Sequence, residues 1–211
     1  MNSMDRKQII PITSGLFQQN CFIVENEGQA LIIDPGEGFR KVSEIISQRA
    51  LQPMAILCTH GHIDHVLGVA PLQEQFKIPF YMHSADHYLL DNLERACQKY
   101  GLPYHGTPKI DFDIAGIKSA ELAGLTVEFL HSPGHTPGGV LIRFEKFVFS
   151  GDTIFYRGIG RTDFPGGNFD TLQKSIRKVV YTLPDDTELI PGHSRATTVG
   201  EEKYQNPFVI L

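Results

Sequence analysis

The sequence predicts an α/β (α+β) fold, a four-layer αββα sandwich of two facing mixed sheets with helices outside. Three observations lead there. Strand-like apolar runs open both the first and the second half of the chain. Each half then passes through an amphipathic helix to a further short, buried strand, so the order strands, helix, strand occurs twice. The length, 211 residues, is enough to bury about 70% of the unfolded surface without covalent staples. A single domain over 1–211, made of two similar halves, is expected.

In chain order, Ile9 to Thr13, Cys21 to Glu25 and Ala30 to Ile33 read as strands, separated by Gly15 and by Asn26-Glu27-Gly28. Asp34-Pro35-Gly36 breaks the sheet. Phe39, Val42, Ile45 and Ile46 then fall at helical spacing within Phe39 to Leu51. The apolar run Met54 to Thr59 is a buried strand, followed by a histidine-rich loop, a helix from about Val66 to Phe76 and a short strand at Pro79 to Met82. Ser84 to Pro108 is helical at first, through Leu89, Leu90, Leu93 and Ala96, and loop-like around Gly101-Leu102-Pro103. Thr126 to His131, Val140 to Phe144 and Phe147 to Phe149 are strands. Leu172, Ile176, Val179 and Val180 form a stripe within Asn168 to Leu183, with Asp170 as N-cap and Pro184 as terminator. Glu188 to Ile190 is the last strand.

Composition excludes several classes. With 41% hydrophobic and 20% charged residues and a net charge of −5, the chain has no basic stripe for nucleic acid and no polybasic membrane anchor. A small-molecule partner is expected. Cys21, Cys58 and Cys97 are odd in number and widely spaced, which fits reduced thiols rather than a disulfide framework. The N-terminus, residues 1–7, is polar, and Ile9 to Ile12 is far shorter than a signal-peptide core or a membrane span. A cytoplasmic protein is expected.

The chemistry starts at the end of the Met54 strand. His60, His62, Asp64 and His65 offer three imidazoles and a carboxylate within six residues, nitrogen and oxygen donors of the kind that bind zinc, iron or manganese. His135, Asp152 and His193 each follow a strand-like run at a Gly- or Pro-bearing turn, so all can converge on one crevice beyond the strand ends. Seven donors are too many for one tetrahedral ion and suit two, each with three terminal ligands and a shared carboxylate. Two divalent ions ~3.5–4 Å apart acidify a water and polarise a carbonyl. The donor set suits zinc best and accepts iron or manganese as well.

Asp34-Pro35-Gly36, His60-Gly61-His62-Ile63-Asp64-His65, Gly134-His135-Thr136, Gly151-Asp152-Thr153 and Gly192-His193 together resemble the metallo-β-lactamase superfamily, and within it the glyoxalase II-like (hydroxyacylglutathione hydrolase-like) hydrolases. The resemblance spans nearly the whole chain in the right order and implies an αββα sandwich. It implies that His60, His62 and His135 bind one metal, that Asp64, His65 and His193 bind the other, that Asp152 bridges them, and that Asp34 orients a ligand or loop from behind. Asp64 would also orient the attacking hydroxide. The activity implied is a thioesterase acting on S-acylglutathione-type small thioesters.

Departures narrow this. Asp152, with no cysteine at that place, argues against the best-known zinc β-lactamases, and His62 against flavin-associated di-iron reductases, which carry Glu there. No large insertion follows the core, against a nucleic-acid-processing member. Only 18 residues follow His193, so the C-terminal glutathione-binding domain of full-length glyoxalase II enzymes has no counterpart; residues 158–167 and the tail resemble the compact bacterial type II glyoxalases instead. Gly160-Arg161-Thr162-Asp163-Phe164 is also similar to a string in the persulfide dioxygenases, which hold a single iron. Their last histidine usually follows Pro-Ala, where this chain has Pro191-Gly192. A non-catalytic metal-binding protein is the third reading.

Other residues have bland readings beside sharp ones. His83 and His87, with Asp86 between, read as solvated helix surface rather than a metal site. His105 reads as a loop residue, His131 as packed or supporting a ligand, and Cys58 as a buried, inert thiol. Tyr104 and Tyr156 line a pocket or belong to the core. Arg161 either holds a substrate carboxylate or pairs with Asp163; the sequence weighs these evenly.

Overall fold

The computed structural model describes Asp5 and residues 8–210; the rest of the polar N-terminal stretch lies outside the described residues. The first half opens with β1 (Ile9–Ser14), β2 (Gln19–Asn26) and β3 (Gln29–Ile33), followed by α1 (Phe39–Gln48), β4 (Gln52–Leu57), α2 (Ile63–Val66), α3 (Val69–Phe76) and β5 (Phe80–Met82). Next come α4 (His87–Asp91), α5 (Leu93–Tyr100) and β6 (Phe112–Asp113). The second half contains β7 (Ser119–Leu122), β8 (Leu125–His131), β9 (Val140–Phe144), β10 (Phe147–Gly151), the small β11 (Ile154–Phe155) and β12 (Gly158–Ile159), α6 (Phe169–Lys178), β13 (Glu188–Pro191), β14 (Thr197–Thr198) and α7 (Val199–Gln205).

Two six-stranded sheets result, ordered β1-β2-β3-β4-β5-β6 and β14-β13-β10-β9-β8-β7. Both are mixed: β3, β4, β5 and β6 run parallel and β1, β2, β3 antiparallel, while only β10 and β13 pair in parallel in the second sheet. The four layers follow from side-chain alternation along buried strands. Phe22 and Val24 of β2 and Leu31 and Ile33 of β3 meet Ile142, Phe147 and Phe149 of the other sheet in the central core. Their neighbours Cys21, Ile23, Ala30 and Ile32 point the other way, onto Val42 and Ile46 of α1, Leu72 of α3 and Leu93 of α5. In the second sheet Leu141, Val148 and Leu189 turn outward onto Leu172 and Ile176 of α6. Strands covered on both faces read as near-continuous apolar runs because neither face meets water.

Several expectations shift at their edges. α1 ends at Gln48 rather than Leu51, with Ala50 left-handed at φ +51°. The single helix expected over Val66 to Phe76 is two, and the first begins inside the histidine loop at Ile63. Asn168, not Asp170, caps α6: its side chain accepts from the Thr171 amide at 2.8 Å. α7 carries a cap that the sequence reading passed over, Thr198 accepting from Glu201 N at 3.2 Å. Among the described residues no helix is long and apolar enough to cross a membrane.

The register explains where chemistry can gather. Ile33 pairs with Leu57, so Asp34 and Cys58-Thr59 leave the first sheet side by side. Gly151 pairs with Pro191, so Asp152 and Gly192-His193 leave the second sheet side by side. Both parallel pairs end on one edge of the sandwich, the place where open α/β sheets form ligand crevices. Val140 N donates to Thr59 O at 2.9 Å and Asn20 N to Gly192 O at 2.7 Å, lacing the two sheets together at that edge.

Candidate metal centre

The seven predicted donors meet at this edge. His60, His62 and His135 form one group, Asp64, His65 and His193 a second, and His60, His65 and Asp152 a third that overlaps both; in each group the ligating atoms lie within 4.8 Å of one another. Asp152 stands between the groups, with Oδ1 3.4 Å from His65 Nε2 and Oδ2 3.5 Å from His135 Nε2 and 3.6 Å from His193 Nε2. His62 Nδ1 approaches His135 Nε2 at 2.8 Å, and His193 Nε2 approaches Asp64 Oδ2 at 3.1 Å.

The ring nitrogens that point away from the centre face oxygen atoms of the protein. His65 Nδ1 lies 3.0 Å from Asp34 Oδ2. His60 Nδ1 lies 3.1 Å from Thr59 Oγ1, which itself donates to Asp34 Oδ2 at 2.7 Å. His135 Nδ1 meets Arg161 O at 2.7 Å and His193 Nδ1 meets Phe17 O at 3.1 Å. With an ion bound and Nδ1 carrying the proton, each of these four rings would offer its Nε2 lone pair inward. Asp34 thus serves two histidines at once. It does so from a left-handed backbone at φ +48°, a conformation aspartate tolerates better than most residues.

The residues fit divalent ions on an observation independent of any family. His60 Nε2, His65 Nε2 and Asp152 Oδ1 are buried without a hydrogen-bond partner among the described residues, a costly arrangement for groups that nothing else satisfies. Five imidazoles and two carboxylates, with no thiolate, suit zinc, iron or manganese.

Electrostatics divides the cluster. Burial, followed by the neighbouring histidines, holds His60 well below the usual imidazole range, and burial with His135 lowers His62 to about 4. For His65 burial pulls downward, but Asp34, Asp64 and Asp152 outweigh it and raise the ring well above its ordinary value. His193 is raised likewise: burial opposes, and the Asp64 hydrogen bond and Asp152 prevail. Asp64 and Asp152 both fall below the carboxylate range; burial pushes against this and the surrounding histidines, His65 foremost, win.

A crevice of about 840 Å³ opens over the donors. The segment whose role the sequence left open supplies one wall, through Tyr88 and Leu89 of α4 and Arg95, Ala96, Lys99 and Tyr100 of α5. Phe17, Phe155, Ile159 and Phe164 complete an apolar lining. Arg161 also lines it, bound bidentately to Asp163 through Nε at 2.7 Å and Nη2 at 2.6 Å and lying over the Phe164 ring at 3.9 Å.

Among the bland readings, His87 is exposed and contacts Asp91 at 3.2 Å, while His83 stacks on His131 at 4.5 Å between centroids. Asp86 is a correction: it is fully buried, not solvated, and accepts from Gly61 N, Thr136 Oγ1 and Gly138 N. Nothing local marks it in the sequence. Tyr104 is 40% exposed, His105 packs against Phe39, and Arg195 lies over Tyr156. Cys58 is buried and its thiol donates to His65 O at 3.7 Å.

Known proteins resemble this chain in sequence and fold. Hydroxyacylglutathione hydrolase GloC of Haemophilus influenzae is 40% identical over 208 residues, covering 96% of this chain and 97% of its own length. The structure of BLEG-1, a B3 metallo-beta-lactamase, superposes with a TM-score of 0.89 at 33% identity, covering 95% of this chain and 99% of that one. That of TTHA1623 in a di-iron-bound form gives 0.85 at 36% identity, covering 95% and 100%. The family model matches residues 14–193, over every strand from β2 to β13 and every donor from His60 to His193, and the chain belongs to the metallo-beta-lactamase superfamily.

Proposed function

We propose that the chain is a dinuclear metal-dependent thioesterase acting on S-acylglutathione-type small thioesters. His60, His62 and His135 would hold one ion and Asp64, His65 and His193 the other, with Asp152 placed to serve both. The observation that carries this is the placement of Asp152 beside both three-residue groups, its Oδ2 3.5 Å from His135 Nε2 of one and 3.6 Å from His193 Nε2 of the other, and its Oδ1 3.4 Å from His65 Nε2. When bound, two such ions supply an acidified water as nucleophile and Lewis-acid polarisation of the thioester carbonyl. Zinc suits the donors best, and iron is supported by the di-iron form of TTHA1623.

The chain's own groups do the rest. Asp34 fixes the His65 ring and, through Thr59, the His60 ring, so the inward nitrogens need no reorganisation. Asp64, at the crevice wall beside His193, is placed to accept a hydrogen bond from the attacking water and set its direction. Phe17, Phe155 and Phe164 keep the acyl group in an apolar setting, which strengthens the electrostatics at the carbonyl. The leaving group is a thiolate, stable enough near neutral pH to need no dedicated acid.

Gly192 favours this over the mono-iron dioxygenase. A Cβ there would stand 2.6 Å from His65 Cε1 and 2.7 Å from Asp152 Oδ1. An alanine is therefore incompatible with the second group as it stands. Removal of metal with a chelator, followed by hydrolysis assays on S-lactoylglutathione with and without added zinc, iron or manganese, tests the reading. Turnover should vanish and return with two ions per chain. Full turnover without metal would overturn it, as would oxygen uptake with glutathione persulfide at one iron per chain. Because BLEG-1 is described as a β-lactamase, a β-lactam is the third substrate to assay.

A further inference from the structure

α5 presents two different faces. Leu93 and Cys97 are buried in the core, 1% exposed each. Asn92, Arg95, Ala96 and Lys99 line the crevice, at the i, i+3, i+4, i+7 spacing of a single helical face. Arg95 and Lys99 are thus neighbours one turn apart, a like-charge pair that works against helix formation. Neither has a carboxylate partner among the described residues; Lys99 lies only over the Tyr100 ring, at 5.1 Å. This is not a reflection of composition, because the chain as a whole carries a net charge of −5.

The rest of the lining sharpens the asymmetry. Apart from the metal donors, every charged residue around the crevice is a cation, Arg95, Lys99 or Arg161. Asp163 already neutralises Arg161, which leaves the α5 pair as the uncompensated positive charge. That pair is mechanically tied to the centre: the Tyr100 ring meets Phe17 edge-on at 5.2 Å, and Phe17 O contacts His193 Nδ1.

We propose that Arg95 and Lys99 are specificity-determining residues that dock the negatively charged thiol carrier of the substrate, so the site selects thioesters of acidic thiols. The proposal rests on the thioesterase reading above. Arg95 offers a planar fork that binds a carboxylate or phosphate bidentately, and Lys99 a mobile point charge beside it. The acyl end then reaches the donors across the apolar floor. α5 supplies, on this reading, the carrier-binding contacts at the crevice wall.

The test compares S-lactoylglutathione, a coenzyme A thioester and a neutral N-acetylcysteamine thioester on the full-length, metal-loaded protein, with Arg95→Gln/Lys99→Gln and Arg95→Glu/Lys99→Glu. Native protein should prefer an anionic carrier, and its KM for that carrier should rise with ionic strength. In the Gln variant the anionic-to-neutral ratio of kcat/KM should fall about tenfold, through KM and not kcat, and it should fall further in the Glu variant. Which anionic substrate shows the loss distinguishes carboxylate from phosphate recognition. Calorimetric binding of S-hexylglutathione, which has no scissile thioester, provides a readout independent of turnover and should weaken in parallel. Unchanged ratios and unchanged S-hexylglutathione affinity in the Glu variant would overturn the proposal. Absence of any thioester turnover by the native protein would instead overturn the thioesterase reading, with the calorimetry still deciding the role of the α5 pair.

Discussion

Asp86 and Thr136 are both fully buried, and Thr136 Oγ1 donates to Asp86 Oδ2 at 2.7 Å. The same carboxylate accepts from Gly61 N at 3.0 Å and Gly138 N at 2.6 Å. One side chain from the start of α4 therefore binds the loop carrying His60 and His62 to the loop carrying His135. A Cβ on Gly138 would come within 2.7 Å of the Asp86 carboxyl carbon, so glycine is required for the approach. Asp86→Ala leaves two amides and a hydroxyl without an acceptor, and should cost roughly 3 kcal/mol or more in urea unfolding. Affinity at the His60, His62 and His135 site should fall about 10–100-fold, read by chelator competition. Native metal affinity in this variant would show that the clamp does not position the loops.

Gly192→Ala separates the two ions. His65 is pinned from behind by Asp34 and cannot swing away from the new methyl group. The variant should keep one ion, bind the second about 10–100-fold more weakly, and lose thioesterase activity with it. Metal analysis after gel filtration checks this, and retention of two ions would contradict the close packing around Gly192.

Proton release should distinguish the sites. In the metal-free protein His62, at about 4, and His60 are neutral near pH 7, whereas His65 and His193 are raised and hold their protons to higher pH. An ion entering between Asp64, His65 and His193 must expel those protons, so its affinity falls as pH falls, by up to about tenfold per pH unit for each proton displaced. His60 and His62 impose no such cost until the pH approaches their lowered values. Calorimetric titration in buffers of different ionisation enthalpy should show little proton release for one ion and more for the other. Equal release for both would refute the division.

Asp34→Asn keeps a residue that tolerates the left-handed backbone and can still accept from the Thr59 amide, 2.8 Å away in the native protein. It removes the charge facing His65 Nδ1. The His65 titration should move down toward the ordinary imidazole range, visible by NMR in the metal-free protein, because Asp34 is the foremost of the carboxylates that raise it. Metal affinity should fall about 10–100-fold. An unmoved titration would assign the shift to Asp64 and Asp152 alone.

The layers and the metal motif were legible because their signals are local. Alternation through Cys21-Phe22-Ile23-Val24 and Ala30-Leu31-Ile32-Ile33 encodes two covered faces, and the resulting sandwich is the one observed. The short β6, β11, β12 and β14, each of two residues, were not legible, since two residues carry no period. The cap of α6 moved from Asp170 to Asn168 because both are capping residue types and only backbone geometry chooses between them.

What the sequence determined by itself was the donor inventory, its order and its positions at strand ends, since residue type and strand periodicity are properties of neighbouring positions. Tertiary structure alone decided the rest. It turned Asp86 from apparent helix surface into a buried clamp, and placed Arg95 and Lys99 in the crevice lining. These depend on which segments distant in the chain pack together, and that is decided by the parallel pairing of β3 with β4 and of β10 with β13 and by the core between the sheets.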